Sequence, residues 1–354
     1  MVAVSFIAMA PAPRPSTRPK RARRGSGGLT LGDVARLAGV SPITVSRALN
    51  DPGRVSPGTL ARVQEAVART GYVPNRVAGG LASNHSRLVA VIIPSLASPM
   101  FLATLQALSE ALAAEGYQVM IGESGYDGTC EDALLDAIIG RRPDGIVLTG
   151  VMHSTEGRRR LLAAGIPVVE TWDLTPTPID MLVGFSHEQA GAGAARYLHQ
   201  CGVREPAMIS ADDHRAGLRR KGFAEAAKAM GRGKVPVRLV HAPTTIGEGR
   251  RALASLLDRH PEIDAVYCSS DVLALGALVE AKARGLAVPG RVRIVGFGDL
   301  DFAADTDPPL TTLRVDGTAI GRQAARFLVD RIAGRPEGPR IVDLGVTLVP
   351  RASA

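Results

Sequence analysis

The sequence predicts a small all-α helix-turn-helix domain followed by an α/β core of two doubly wound parallel-sheet lobes. Three observations carry this. Residues 29–71 hold three short stretches with helical apolar spacing, two of them opened by Ser-Pro. From Leu88 onward, short Val/Ile-rich runs alternate with amphipathic helical stretches, the pattern of parallel strands covered on both faces. These runs are too many for one modest sheet, and a chain of 354 residues is too long for one ordinary core.

Charge is spread unevenly. Residues 1–87 hold 13 basic and 3 acidic residues, a net of +10, while the remainder holds 29 and 31, a net of −2. A polyanion is therefore expected to bind at the N-terminal quarter only. Residues 1–28, rich in Pro, Arg, Ser and Gly, cannot bury enough apolar surface to offset their ordering entropy and read as a disordered basic arm. Cys130, Cys201 and Cys268 are far apart and form no metal-ligand spacing, which suggests a reducing compartment. The opening MVAVSFIAMAPA lacks a basic start and a long apolar core, so the chain is read as cytoplasmic. No stretch approaches the ~18 apolar residues of a membrane span, and no membrane partner is expected.

In the helical part, Thr30 and Asp33 form a capping-box-like T-x-x-D that opens a helix to about Ala38. Gly39 supplies the turn. Ser41 caps a second helix with Pro42 at its first position, spanning about residues 42–49, and Ser56 with Pro57 repeats the device for a third that Gly71 ends. Val34, Leu37, Val40, Val45, Leu49, Leu60, Val63 and Val67 are expected inside. That leaves Ile43, Ser46 and Arg47 pointing out of the second helix, with Pro42 at its leading end. An exposed Ile beside an Arg suits major-groove readout, by methyl contact to thymine and bidentate hydrogen bonds to guanine. A plain three-helix bundle is the bland alternative, and the charge concentrated in this quarter argues against it.

Strands are expected at LVAVIIP, YQVMIGES, GIVLTG, IPVVETW, DMLVGF, PAMISA, VRLVHA, AVYCSS and VRIVGFG, with a last one over residues 346–349. GAGAAR at 191–196 lacks the third glycine of a dinucleotide fingerprint and is read as helix packing; GESG at 122–125 misses the nucleophile elbow by one residue. No phosphate loop or H-E-x-x-H is present, so neither a cofactor nor a metal is expected. Ligands in open α/β sheets bind at the carboxyl ends of the strands. Asp173, Asp271 and Asp299 collect there as acceptors for hydroxyls, and Arg219 offers a fork for a carboxylate or phosphate. A sugar acid fits that combination, although Asp271 would equally serve as a helix cap.

LGDVARLAGVSPITVSR (31–47), VSPGT (55–59), GYVPNR (71–76) and Leu81 closely resemble the lactose/galactose/purine repressor family. DVLALGA (271–277), VGFGD (295–299) and PLTT (309–312) extend the resemblance over most of the chain after residue 28. PSL from Pro94 with Phe101, the pair Gly125 and Tyr126, ETWD (170–173), VGF (183–185) and DLGVTLVP from Asp343 resemble the gluconate-utilisation repressors within it. The resemblance implies that Pro42, Ile43 and Arg47 read base edges and that Thr30, Thr44, Ser56, Thr59, Tyr72 and Asn75 contact phosphates. It makes residues 29–74 the DNA-binding domain and 75–86 a hinge that folds on DNA, with Ala78 and the wedge Leu81 in the minor groove. Gly79 and Gly80 depart from the pattern; each costs about 1 kcal/mol of helix, so the free hinge is expected to be disordered.

The resemblance also implies a periplasmic-binding-protein-like effector core over residues 87–354, with an N-lobe of 87–185 and 316–344 and a C-lobe of 186–315 and 345–354. Strand ends and resemblance together give the candidate effector contacts Ser95, Phe101, His153, Glu170, Asp173, Arg219, Ser270, Asp271 and Asp299. The expected function is transcriptional repression by a homodimer on a pseudo-palindromic double-stranded operator, relieved by gluconate or its 6-phosphate. The chain is not expected to be an enzyme. The alternatives are a regulator of another carbohydrate pathway, a periplasmic sugar-binding protein, which would need an export signal, or a sugar-acid enzyme fused to a DNA reader.

Overall fold

The computed structural model describes residues 29–73, 85–126, 131–152, 154–335 and 338–354. The arm, His153 and the hinge residues Asn75, Ala78 and Leu81 lie outside the described residues. The chain divides into two compact units, residues 1–79 and 80–354.

In the first unit, α1 (Leu31–Ala38), α2 (Pro42–Asn50) and α3 (Pro57–Thr70) follow the expected caps. Thr30 and Asp33 cap α1 reciprocally, the backbone N–H of Thr30 donating to the Asp33 carboxylate at 3.0 Å. Ser41 and Ser56 accept from the backbone N–H of Thr44 and Thr59 at 3.2 and 3.4 Å. Gly39 and Gly71 end α1 and α3 in the left-handed region, φ 64° and 65°, which other residues adopt only at a cost. Val34, Val45 and Val63 are fully buried among Ala35, Ala38, Ala48 and Ala66. Leu37, expected inside, is 43% exposed. The inward arc of α1 is Val34, Ala35 and Ala38, and at 100° per residue Leu37 falls on its flank. Small alanines at the contact faces let three short helices approach closely, a role the apolar-residue pattern underweights.

The second unit contains β1 (Leu88–Ile93), β2 (Gln118–Glu123), β3 (Gly145–Thr149), β4 (Val168–Thr171), β5 (Met181–Gly184), β6 (Pro206–Ala211), β7 (Val237–Val240), β8 (Ala265–Cys268), β9 (Arg293–Gly298), β10 (Thr311–Arg314), β11 (Ile341–Asp343) and β12 (Thr347–Val349). They form two sheets of order β11-β5-β4-β3-β1-β2 and β12-β10-β9-β8-β6-β7. All pairings are parallel except β10 with β12. This is the doubly wound pair of lobes the sequence predicts. β10 and β11 are strands that reading did not include. TTLR is short and half polar, and the burial of Thr311 and Thr312 comes wholly from their neighbours; β11 is three residues with both ends exposed.

Around the first sheet lie α4 (Leu102–Ala114), α5 (Glu131–Ile139), α6 (Thr155–Ala164) and α11 (Gly317–Ile332); around the second lie α7 (His187–Gln200), α8 (His214–Ala229), α9 (Ile246–Arg259) and α10 (Asp271–Ala283). α7 and α8 touch backbone to backbone: a methyl group at Gly191 would strike the carbonyl oxygen of Arg219, and one at Gly222 that of Glu188. The helix packing read from GAGAAR is thus present, and it sets the depth of Arg219. Gly191→Ala should separate the two helices and cost about 1–3 kcal/mol by overpacking. Denaturant unfolding checks this; an unchanged midpoint would show that the contact yields without strain.

Candidate functional site

On the first unit, Pro42, Ile43 and Arg47 stand exposed along α2, Ile43 at 65%. The acids Asp33, Asp51 and Glu65 each lie on an arginine one turn away, Arg36 at 3.1 Å, Arg54 at 2.7 Å and Arg69 at 3.8 Å. Arg47 has no ion pair among the described residues, so its guanidinium is free for a ligand. Thr30, Thr44, Ser56 and Thr59 all sit in the first turn or cap of a helix, where orphan N–H groups and the helix dipole favour anions. Tyr72 is placed differently: it is 9% exposed and belongs to the core of this unit.

The second unit has a cleft of about 650 Å³, counting its open mouth, between the carboxyl ends of the two sheets. Phe101, Arg219 and Ser270 of the expected contacts line it, with Ser98, Tyr126, Trp172, His187, Asp213, Arg215 and Thr244. Arg215 and Arg219 are four residues apart and so share a face of α8; that spacing is legible in the sequence, although Arg215 is not among the expected contacts. Arg215 reaches from α8 to the Thr149 carbonyl at 3.3 Å and lies 5.3 Å over the Phe101 ring, which joins the two lobes.

Arg219 is buried. Its Nη1 donates to His187 Nδ1 at 2.9 Å, its Nη2 donates to the Ser269 carbonyl at 3.0 Å, and its Cζ lies 4.2 Å over the centroid of Phe297. Its Nε has no hydrogen-bond partner. No carboxylate lies within ion-pair distance of Arg215 or Arg219 among the described residues. Burial lowers the Arg219 pKa from its ordinary value, yet an arginine stays charged in protein interiors. The groups that touch the Arg219 guanidinium are thus neutral, while Asp213, which caps α8 by accepting from the Ala216 N–H at 3.0 Å, and Asp173 act on it only from beyond ion-pair distance.

Of the remaining expected contacts, Ser95, Glu170, Asp173, Asp271 and Asp299 do not line the cleft and have structural partners, and His153 lies outside the described residues. Glu170 is fully buried, accepting from the backbone N–H of Met152 at 2.9 Å and of Ile179 at 2.7 Å. It ties two loops together, and burial raises its pKa. Asp271 is likewise buried, accepting from the Thr312 hydroxyl at 2.6 Å and the Leu300 N–H at 2.8 Å. Asp299 pairs with Arg314 at 2.6 Å and Arg351 at 2.7 Å. Asp173 and Ser95 accept from the nearby N–H groups of Leu174 and Ala97 at 2.8 and 3.2 Å. Carboxylates at strand ends are what the sequence displays; that they already have partners is a tertiary fact. Among the described residues no cluster suited to a metal is present, and no helix is long and apolar enough to cross a membrane.

Burial, with a further push from Asp299, raises the Asp271 pKa from 3.8 to about 6. A raised acid pKa means that the folded state holds the proton more tightly than the unfolded chain. Its contribution is full below the unfolded value and is lost as pH rises through about 6. The stability of the wild type relative to Asp271→Asn should thus fall by roughly 2–3 kcal/mol between pH 4 and 7. Unfolding midpoints of both proteins across that range test this, and a pH-independent difference would contradict it.

Residues 30–75 match the family model described as bacterial regulatory proteins, lacI family, and residues 86–350 match periplasmic binding proteins and sugar binding domain of LacI family. The chain is 38% identical to the HTH-type transcriptional regulator GntR of Pseudomonas aeruginosa, over 95% of this chain and 99% of that protein. It is 31% identical to the HTH-type transcriptional regulator IdnR of Escherichia coli, over 90% and 96%. A LacI-family transcriptional regulator from Silicibacter pomeroyi superimposes with a TM-score of 0.87 at 34% identity, covering 92% of this chain and 99% of that one. The three-helix head with the exposed face of α2, the two-lobed core with its cleft and these matches together place the chain in the LacI family of bacterial transcriptional regulators, related to its GntR/IdnR gluconate-utilisation subgroup.

Proposed function

We propose that this regulator is a homodimeric repressor, that Pro42, Ile43 and Arg47 read operator bases, and that an anionic sugar acid, gluconate or 6-phosphogluconate, binds between the lobes and lowers operator affinity. One observation carries the choice of effector: the cleft contains Arg219, buried with an open Nε donor, and Arg215, with no carboxylate paired to either. An unpaired buried donor costs about 1–3 kcal/mol, which an acidic ligand would recover. Phe101 and Trp172, 5.1 Å apart edge to face, supply an apolar wall for a carbon chain, and Ser270 and Thr244 supply hydroxyl partners. In this reading Thr30, Thr44, Ser56 and Thr59 hold the phosphate register, and residues 75–86, with Leu81, link lobe arrangement to the spacing of the two heads. The lobes would comprise 87–185 with 316–344 and 186–315 with 345–354.

Calorimetry of the purified protein should give a heat of binding with gluconate or 6-phosphogluconate and none with glucose. Arg219→Met should weaken the acid by about 10–100-fold, the worth of a charge-assisted hydrogen bond. Equal binding of glucose, or an unaffected variant, would sink the anionic choice. In the head, Arg47→Ala should relax discrimination at one base pair per half-site by roughly 1–3 kcal/mol. Thr59→Ala should weaken all DNA sequences alike. Uniform loss in both variants, followed by fluorescence anisotropy on operator and scrambled duplexes, would show that α2 does not read bases.

A further inference from the structure

We infer that His187 is a positioning residue that holds Arg219 at the cleft through a neutral acceptor, so that this contact leaves the guanidinium charge uncancelled and the cleft selects ligands by their negative charge. The inference rests on the effector reading above and adds the device that makes the cleft cationic. His187 is the first residue of α7 and is 2% exposed. Its Nε2 lies 2.8 Å from the Trp172 carbonyl oxygen. A carbonyl only accepts, so Nε2 carries the hydrogen, and Nδ1 is left with the lone pair that accepts from Arg219 Nη1 at 2.9 Å. The tautomer is thereby fixed from both sides.

The other groups facing the ring agree. Phe185 meets it edge to face at 4.6 Å, and Phe297 lies 6.2 Å away. Burial, then the charges of Arg219 and Arg215 and the nearby His214 on α8, hold the imidazole pKa well below its ordinary value. The helix N-terminus also opposes a cation there. Trp172 holds the far end with φ 64° in the left-handed region, and its indole Nε1 donates to Thr104 Oγ1 at 3.1 Å. The chain Arg219, His187, Trp172, Thr104 thus runs from the second sheet's helices to α4 on the first. A carboxylate at the same place would bind Arg219 more tightly and cancel the charge.

Nitrogen-15 NMR of histidine-labelled, ligand-free full-length protein tests the position directly. The His187 imidazole should remain neutral in the Nε2–H form from pH 8 to about 5, well past the ordinary histidine midpoint, and Arg219→Met should raise its midpoint. An imidazole that titrates near the ordinary value, or carries its hydrogen on Nδ1, overturns the inference whether or not any acid binds. Binding provides the second readout. His187→Asn places an amide oxygen near the Nδ1 position and should bind gluconate within about threefold of wild type, whereas His187→Leu should lose about tenfold, the loss of one buried hydrogen bond. Both variants are compared at matched folded fraction by their thermal midpoints. If wild type binds gluconate and the Asn and Leu variants lose equally, the acceptor is not what matters and the inference fails. If wild type binds neither gluconate nor 6-phosphogluconate, the effector reading fails, and the NMR result still decides the state of His187.

Discussion

The second unit is organised around a buried arginine whose touching partners carry no charge. Taking a guanidinium out of water costs several kcal/mol unless its donors are met, of the order known for buried ions. Here the cost is offset in pieces: the Ser269 carbonyl, the His187 lone pair and the face of Phe297 each take part of the charge. None of them cancels it. Keeping Arg219 there depends in turn on the glycine contact between α7 and α8, because those backbones meet at the residue that carries the guanidinium. Helix packing, the aromatic cluster and the polarity of the cleft are therefore one arrangement.

The neighbouring carboxylates make sense in the same terms. Glu170, Asp271 and Asp299 are anions close to the strand ends, yet each is consumed by backbone amides, a hydroxyl or a surface arginine. They shape the loops around the cleft without lining it. Were one of them free to pair with Arg219, the site would be neutral and a plain sugar would suit it better than an acid. A parallel economy holds in the first unit, where Asp33, Asp51 and Glu65 are each held by an arginine on their own helix or turn. Exposed pairs of this kind add little stability. Among the described residues of this unit they leave Arg47 and Arg62 without an acid partner, Arg47 on the face of α2 that also carries Ile43.

The fold was legible because its signals are local. Ser-Pro caps, left-handed glycines and Val/Ile runs fix where helices and strands begin and end, and the head helices fall within one residue of expectation. β10 and β11 escaped because their burial or pairing is given by neighbours rather than by their own pattern. In the cleft, the sequence displays residue type but not whether a group already has a partner. Asp271 and Glu170 look like ligand groups until their partners, 41 and 18 residues distant, are seen. Arg215 and His187 sit in polar helix openings, beside Asp213 and His214 and beside Glu188 and Gln189, so the sequence does not single them out; their partners, the Thr149 and Trp172 carbonyls and the Arg219 guanidinium, come only with the fold.

In the proposed mechanism acid and operator act through one equilibrium, and linkage makes that coupling measurable without locating the hinge. If the acid lowers operator affinity by some factor, operator must lower affinity for the acid by the same factor. The direct measurement is the affinity for gluconate and for 6-phosphogluconate of the free protein and of the protein saturated with operator duplex, set beside operator affinity with and without acid. The account predicts weaker acid binding to the DNA complex, by a factor matching the loss of operator affinity. Acid binding of equal strength with and without operator would contradict it.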